Sequence, residues 1–183
     1  MEAGMGKIKT AVLFALVILL LSGCSREREI ALDFGRGAFE CELSWERGGE
    51  HIRAVLDVGV LREDRSRDIT LRFEEPRALR GIRVIREDGE TRAELDGITV
   101  DIGKFAAWLD VERIFDTEGE ISYLSSETLD GESVDRLLCR RADGSESEIY
   151  LSQRSETPIR VIYRADSLDI DARIIYFTEK TET

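Results

Sequence analysis

Over most of its length the chain alternates between apolar and polar residues. In "FECELSW" Phe39, Cys41, Leu43 and Trp45 fall on one side of an extended chain, and Glu40, Glu42 and Ser44 on the other. A period of two with one apolar side predicts a half-buried strand. "ERGGE" follows as a hairpin turn, and "HIRAVLDV" answers it with Ile52, Ala54, Leu56 and Val58 on one face. "ITLRF" (69–73) alternates again and stops before Pro76, which cannot donate to a ladder. "IRVIR" and "TRAELDG" predict two short strands around the turn "EDGE", and "ITVD" adds a short extended piece. The period then changes. In 102–118, IGKFAAWLDVERIFDTE, the residues Phe105, Trp108, Leu109, Val111, Ile114 and Phe115 recur at helical spacing, with Asp101 placed to cap the helix and Gly119 to end it. The last third returns to strands: "ESVDRLLCRRA", "SEIYLS", "RSETPIRVIYR" with Ile159, Val161 and Tyr163 on one face, and "SLDIDARIIYF" with Ile170, Ala172 and Ile174 on one face. A helix with so wide an apolar stripe must bury it, and the sheet is the only large partner. The expected fold class is therefore α+β: a strongly curved antiparallel sheet, an incomplete barrel of about nine or ten strands, packed on one main helix.

One apolar stretch does not alternate. Ala11–Leu21 is a continuous run after Lys7 and Lys9, followed by Ser22, Gly23 and Cys24. A membrane-spanning helix needs about 20 such residues, so this run is short for a span. Charged start, apolar run and small-residue end make the layout of an export signal. The tetrad Leu21-Ser22-Gly23-Cys24 resembles the bacterial lipobox, in which the Cys thiol takes a diacylglycerol and cleavage leaves that Cys as the new N-terminus. The resemblance implies a signal peptide over 1–23, a lipidated Cys24 with a polar tether over 24–36, a domain over 37–178 and a frayed tail over 179–183. Acyl chains on Cys24, palmitate among them, are the only attached group expected, and two or more anchor a chain stably. The implied location is extracytoplasmic, on the cell membrane, or on the outer membrane if the cell has one, since Ser25 rather than Asp follows the Cys.

Composition matters once this segment is set aside. Removing Lys7, Lys9 and Glu2 leaves 24 basic and 37 acidic residues, a net charge of −13. That field disfavours nucleic acid as a partner. Lys104 and Lys180 are the only lysines left, so the cations are almost all arginine, alternating with apolar residues as on a solvated strand face. Cys41 and Cys139 remain as a cysteine pair. Export permits a disulfide between them, but two buried free thiols are the favoured expectation, since a free Cys is often simply a small buried residue.

Few residues offer chemistry. His51 is the only histidine and opens a strand. Glu63, Asp64 and Asp68 lie close together without the spacing or turn glycine of a calcium loop, and read as solvated. No nucleophile elbow, phosphate loop or HExxH motif occurs. No metal site and no enzyme is expected. The large aromatics Trp45, Phe73, Phe105, Trp108 and Phe115 are expected in the core, or lining an apolar pocket between helix and sheet.

"LDGESVDRLLCRRADGSESEIYLSQRSETPIRVIYR" followed by "LDIDARIIYF" resembles the LolA/LolB-like lipoprotein-carrier superfamily. The likeness rests on Asp143-Gly144, Ile149 and Leu151, Thr157-Pro158 and Ile159-Arg160-Val161. The stretch "ITLRFEEPRALRGIRVIREDGE", with Pro76, Leu79 and Gly81, is similar to small lipoproteins of anaerobic Gram-positive bacteria. The resemblance implies an incomplete barrel around an apolar cavity, without catalysis. This chain departs from it in showing one helix rather than several lid helices and no methionine after Met5. Two functions follow as expectations. One is binding of a lipid or lipoprotein acyl chain between sheet and helix. The other is docking of an envelope protein through the charged sheet face or an edge strand.

Overall fold

The computed structural model describes residues 32, 34, 37–63, 66–165 and 168–180, with only the backbone for 103–107. The export signal and the lipobox residues Leu21, Ser22, Gly23 and Cys24 lie outside the described residues. Eleven strands form one curved, open sheet. They are β1 Phe39–Arg47, β2 Glu50–Val58, β3 Ile69–Glu75, β4 Arg83–Glu87, β5 Glu90–Leu95, β6 Ile98–Asp101, β7 Glu120–Leu129, β8 Glu132–Arg140, β9 Glu146–Ser152, β10 Pro158–Ala165 and β11 Leu168–Glu179. Their order across the sheet is β6-β5-β4-β3-β2-β1-β11-β10-β9-β8-β7, antiparallel throughout. Two meanders, β1–β6 and β7–β11, thus join where β1 pairs with β11. The β1–β2 hairpin turns on Gly48 and Gly49, both at positive φ (61° and 83°), as a two-residue primed turn requires.

The expected α+β class with a main helix is overturned. Among the described residues there is no α-helix, and Gly103–Phe115 is a 3₁₀ helix. Its buried residues are Leu109, Val111, Ile114 and Phe115; Val111 and Ile114 are three apart, the spacing at which a 3₁₀ helix stacks its side chains. Asp101 does not cap it; Asp101 ends β6, and the cap position is Ile102, with no side-chain bond. Gly119 does not close it either, because the helix stops at Phe115.

The strand number also exceeds the expectation, because β7 left little trace in the pattern. Within EISYLSSETL only Ile121 and Tyr123 alternate, and a bulge between Tyr123 and Ser125 then shifts the register. Gly119, just before β7, meets a steric demand: a Cβ there would stand 2.4 Å from the Arg140 carbonyl oxygen.

β6 and β7 are the two edges of the sheet. The chain between them must therefore travel from one edge to the other. This crossing segment, with the 3₁₀ helix at its centre, packs against β3, β4, β5 and β10. It lies on the inner face, where the alternating apolar residues of both meanders converge. Phe39, Cys41, Leu43, Leu56, Leu71, Leu137, Ile149, Val161 and Tyr163 are fully buried there, with Leu109, Ile114 and Phe115 of the crossing segment. Burial of this face is the main stabilising term of the fold.

Candidate functional site

The crossing segment over the inner face is the candidate site. The structure divides the five aromatics expected to line a pocket into two groups. Phe73 and Trp108 meet edge to face, with ring centroids 5.2 Å apart. Trp45 and Trp108 flank a space of about 30 Å³, shared with Val111 and Ile170. That volume suits about one water molecule. The Arg47 guanidinium sits 4.4 Å from the Trp108 ring centroid, a cation–π contact at the mouth of the space. Phe115 belongs elsewhere: it is fully buried against Phe39 and Phe177, at centroid distances of 4.9 and 5.9 Å. The side chain of Phe105 lies outside the described residues.

Polar contacts at two places hold the segment, and neither set was legible in the sequence. Near its middle, Arg86 on β4 donates to Glu112 Oε1. Burial pushes the Glu112 carboxyl above its ordinary value, against the hydrogen bond and charge of Arg86, which pull it down. Its second oxygen is buried without a partner. Past the C-terminal end of β8, Arg141 is 6 % exposed. Its Nη2 donates to the carbonyl oxygens of Arg113 (3.3 Å) and Asp116, and to Ser147 Oγ (3.0 Å). The Arg113 carbonyl also accepts from the Asp116 N–H at 3.2 Å; the Asp116 carbonyl lies just past the helix end, where acceptors need donors from elsewhere. Tyr163 lies beneath, its ring centroid 5.4 Å from the Arg141 guanidinium carbon and 5.7 Å from that of Arg113. Arg113 Nη2 bonds Asp143 Oδ2 at 2.8 Å. Asp143 is held below the usual carboxylate range, first by the Ser145 hydroxyl and amide. Glu112 carried the signature of a solvated residue, and Arg141 one of many arginines; only the topology gives them partners.

One end of the inner face is uncovered. A cross-strand row runs Cys41, Leu56, Leu71, Val84, Ala93, Val100. It begins fully buried and ends at Val100, which is 54 % exposed. Leu95 and Ile98 lie beside it, 41 % and 67 % exposed. The site residues therefore include Leu95, Ile98 and Val100, which the alternation of "TRAELDG" and "ITVD" placed on strands without singling them out.

The other candidates have ordinary surroundings. Cys41 and Cys139 are buried free thiols, both raised chiefly by burial. β11, β10 and β9 separate their strands, a span of about 19 Å at sheet spacing, far beyond the reach of a disulfide. His51 Nδ1 bonds Glu46 Oε1 at 3.1 Å on the surface. Asp68 is bonded by Arg62 at 2.6 Å, Glu63 is exposed, and Asp64 lies outside the described residues.

No known family's sequence profile and no curated protein sequence matches the chain. Solved structures do show likeness. An uncharacterised conserved protein from Thermus thermophilus is 13 % identical, with a TM-score of 0.48, over 80 % of this chain and 81 % of its own. MucB is 12 % identical, TM-score 0.49, over 83 % of this chain and 57 % of its own. A LolA superfamily protein from Nitrosomonas europaea is 10 % identical, TM-score 0.41, over 83 % of this chain and 90 % of its own. These are likenesses in the course of the chain.

Proposed function

We propose that this protein is an extracytoplasmic, membrane-anchored binding domain, acylated at Cys24, that takes an apolar ligand on its inner face. The ligand is a lipid or an acyl chain, and no catalytic step is involved. The observation that carries this reading is the row from Cys41 to Val100. Its buried part is core; its last member, with Leu95 and Ile98, faces solvent on the same face. Leaving apolar area in water costs about 25 cal/mol per Å². An acyl chain laid along β5 and β6, beside the crossing segment, covers that area. The space between Trp45 and Trp108 is too small for such a chain, so the ligand belongs at the β5–β6 end rather than beneath the 3₁₀ helix.

Titration of the purified full chain with a fluorescent fatty acid tests the site. Saturable binding is expected, and Val100→Arg should weaken it at least about tenfold, since a charge then replaces the apolar contact. Absence of saturable binding refutes the reading. The anchor is tested separately in cells. Cys24→Ser should abolish incorporation of labelled lipid and release the protein from the membrane fraction; unchanged fractionation refutes the anchor alone.

A further inference from the structure

A second open space lies away from the inner-face site. It is a groove of about 460 Å³ between the tip of the β7–β8 hairpin and the strands β10, β11 and β1. That volume is in the usual range of ligand sites, roughly 300–1,000 Å³. Its apolar wall comes from Leu129, Ile159 and Ile175.

Two independent irregularities create this wall. Residues 158 and 160 of β10 pair with consecutive residues of β9, which leaves Ile159 as an extra residue. Residues 174 and 176 of β11 pair with consecutive residues of β1, which leaves Ile175 as another. Simple alternation would put Ile159 on the inner face with Val161 and Tyr163; the bulge turns it into the groove instead. Bulges re-aim side chains and leave main-chain groups outside the ladder. The β10–β11 pairing also stops at Arg160–Arg173. Beyond that pair, β11 has cross-strand partners only in β1 among the described residues. The groove therefore borders a stretch of β11 edge that has no strand paired to it among the described residues.

Charge on the groove is organised as well. On the outer face one cross-strand row reads Arg53, Ser44, Arg173, Arg160, Tyr150, Arg136. Arg53, Arg160 and Arg136 lie within 3.1 Å of Glu42, Asp171 and Glu148 respectively. Arg173 is held more loosely: its Nη1 stands 3.4 Å from Asp130 on the hairpin tip, and both side chains are about two-thirds exposed. An exposed pair of this kind is worth under about 1 kcal/mol and is readily exchanged.

We propose that this groove is a second binding site, independent of the inner face, for an extended peptide segment of a partner protein that carries an acidic residue with aliphatic ones at the alternate positions on either side. The segment pairs its main chain with the free edge of β11 near Ile175. Its aliphatic side chains lie against Leu129, Ile159 and Ile175. Its carboxylate replaces Asp130 on Arg173. A strand added to an open edge takes affinity from the main chain and specificity from alternate side chains. The free main-chain edge favours a peptide over an acyl chain, which has no groups to pair with it.

The probe is a fluorescein-labelled heptapeptide, acetyl-Ser-Val-Ser-Glu-Ser-Leu-Ser-amide, whose Val, Glu and Leu share one face of an extended chain, titrated against the full chain by anisotropy. Saturable binding is expected, with the Glu→Lys peptide about tenfold weaker. Arg173→Glu should invert that preference, so that the Lys peptide binds better. N-methylation of alternate peptide amides should abolish binding, and Ile175→Asn should weaken it without a change in the circular dichroism of the protein. Val100→Arg should leave it untouched. Equal binding of the Glu and Lys peptides, or none, overturns the proposal. So does binding that survives N-methylation and is displaced by dodecanoate, which would assign the groove to an acyl chain.

Discussion

Arg141 is the residue on which the placement of the crossing segment depends most. It is nearly buried, it reaches the carbonyl oxygens of Arg113 and Asp116, and it lies over the Tyr163 ring. Arg141→Met keeps the length of the stem and removes the guanidinium. The Asp116 carbonyl and Ser147 Oγ then lose their donor, while the Arg113 carbonyl keeps the Asp116 N–H at 3.2 Å. Hydrogen bonds to a charged group are worth about 1.5–3 kcal/mol each, and a buried acceptor left unsatisfied costs about 1–3 kcal/mol. The substitution also recovers the desolvation of a buried cation, an opposing term of several kcal/mol. Asp116, 41 % exposed, can turn to water. The expected net loss is about 2–4 kcal/mol. For a domain of this size each kcal/mol moves Tm by about 2–4 °C, so Tm should fall by about 5–15 °C. Urea unfolding followed by circular dichroism measures the free energy, and calorimetry the Tm. Arg141→Lys keeps the charge but offers a point donor in place of the fork, and should recover no more than about half of the loss. Amide exchange in the 3₁₀ helix should quicken in Arg141→Met while the β1–β2 ladder stays protected. Unchanged stability in Arg141→Met would refute the reasoning, and would mean that apolar packing alone positions the segment.

Two further substitutions probe the same region. Gly119→Ala sets a Cβ 2.4 Å from the Arg140 carbonyl oxygen and 3.1 Å from Cys139 Sγ; the backbone must shift, and a loss of about 3 kcal/mol is expected in urea unfolding. A loss under about 0.5 kcal/mol would show that the β7–β8 approach is looser than described. Glu112 gives a pH dependence. Its carboxyl is raised in the fold by burial, while Arg86 and Arg67 lower it and Asp110 adds to the rise. A raised value means that its stabilising share is complete below the ordinary carboxylate value of 4.5 and is lost as pH rises through the folded value. Glu112→Gln should therefore remove a decline in Tm that the parent shows above pH 4.5, with Tm measured from pH 4 to 8. A parallel decline in both proteins would assign the effect to another group.

Strands with one clean face were legible because a period of two survives any change in neighbours. Phe39, Cys41, Leu43 and Trp45 point inward as their spacing requires, and so do Ile52, Ala54, Leu56 and Val58 opposite them. The 3₁₀ segment was misread for a physical reason. Apolar residues at 108, 109, 111, 114 and 115 satisfy a period of 3.6 nearly as well as one of 3.0, and short windows do not separate the two. β7 was missed because an edge strand buries little and its bulge breaks the alternation after Tyr123. Ile159 went to the wrong side for the same reason: a bulge moves one residue across the sheet without marking the sequence.

The functional parts were less legible than the fold because most of their contacts join elements far apart in the chain. Arg86 meets Glu112 across 26 residues of chain, and Arg141 meets Asp116 across 25. Trp45 meets Trp108 only because the segment from β6 to β7 must cross the face that β1 helps to build. In the outer groove, Leu129 comes from one end of the late meander and Ile175 from the other, and Ser44 from the early one. Local propensity fixes each strand, but these meetings exist only once β1 has paired with β11, which brings residues 39–44 beside 173–179. That pairing is the most non-local in the sheet. A change that loosens it, on Phe39 or Phe177 with their centroids 5.0 Å apart, should therefore disturb the packing of the crossing segment and the outer groove together, whereas Val100→Arg should disturb only the β5–β6 end and Arg173→Glu only the groove.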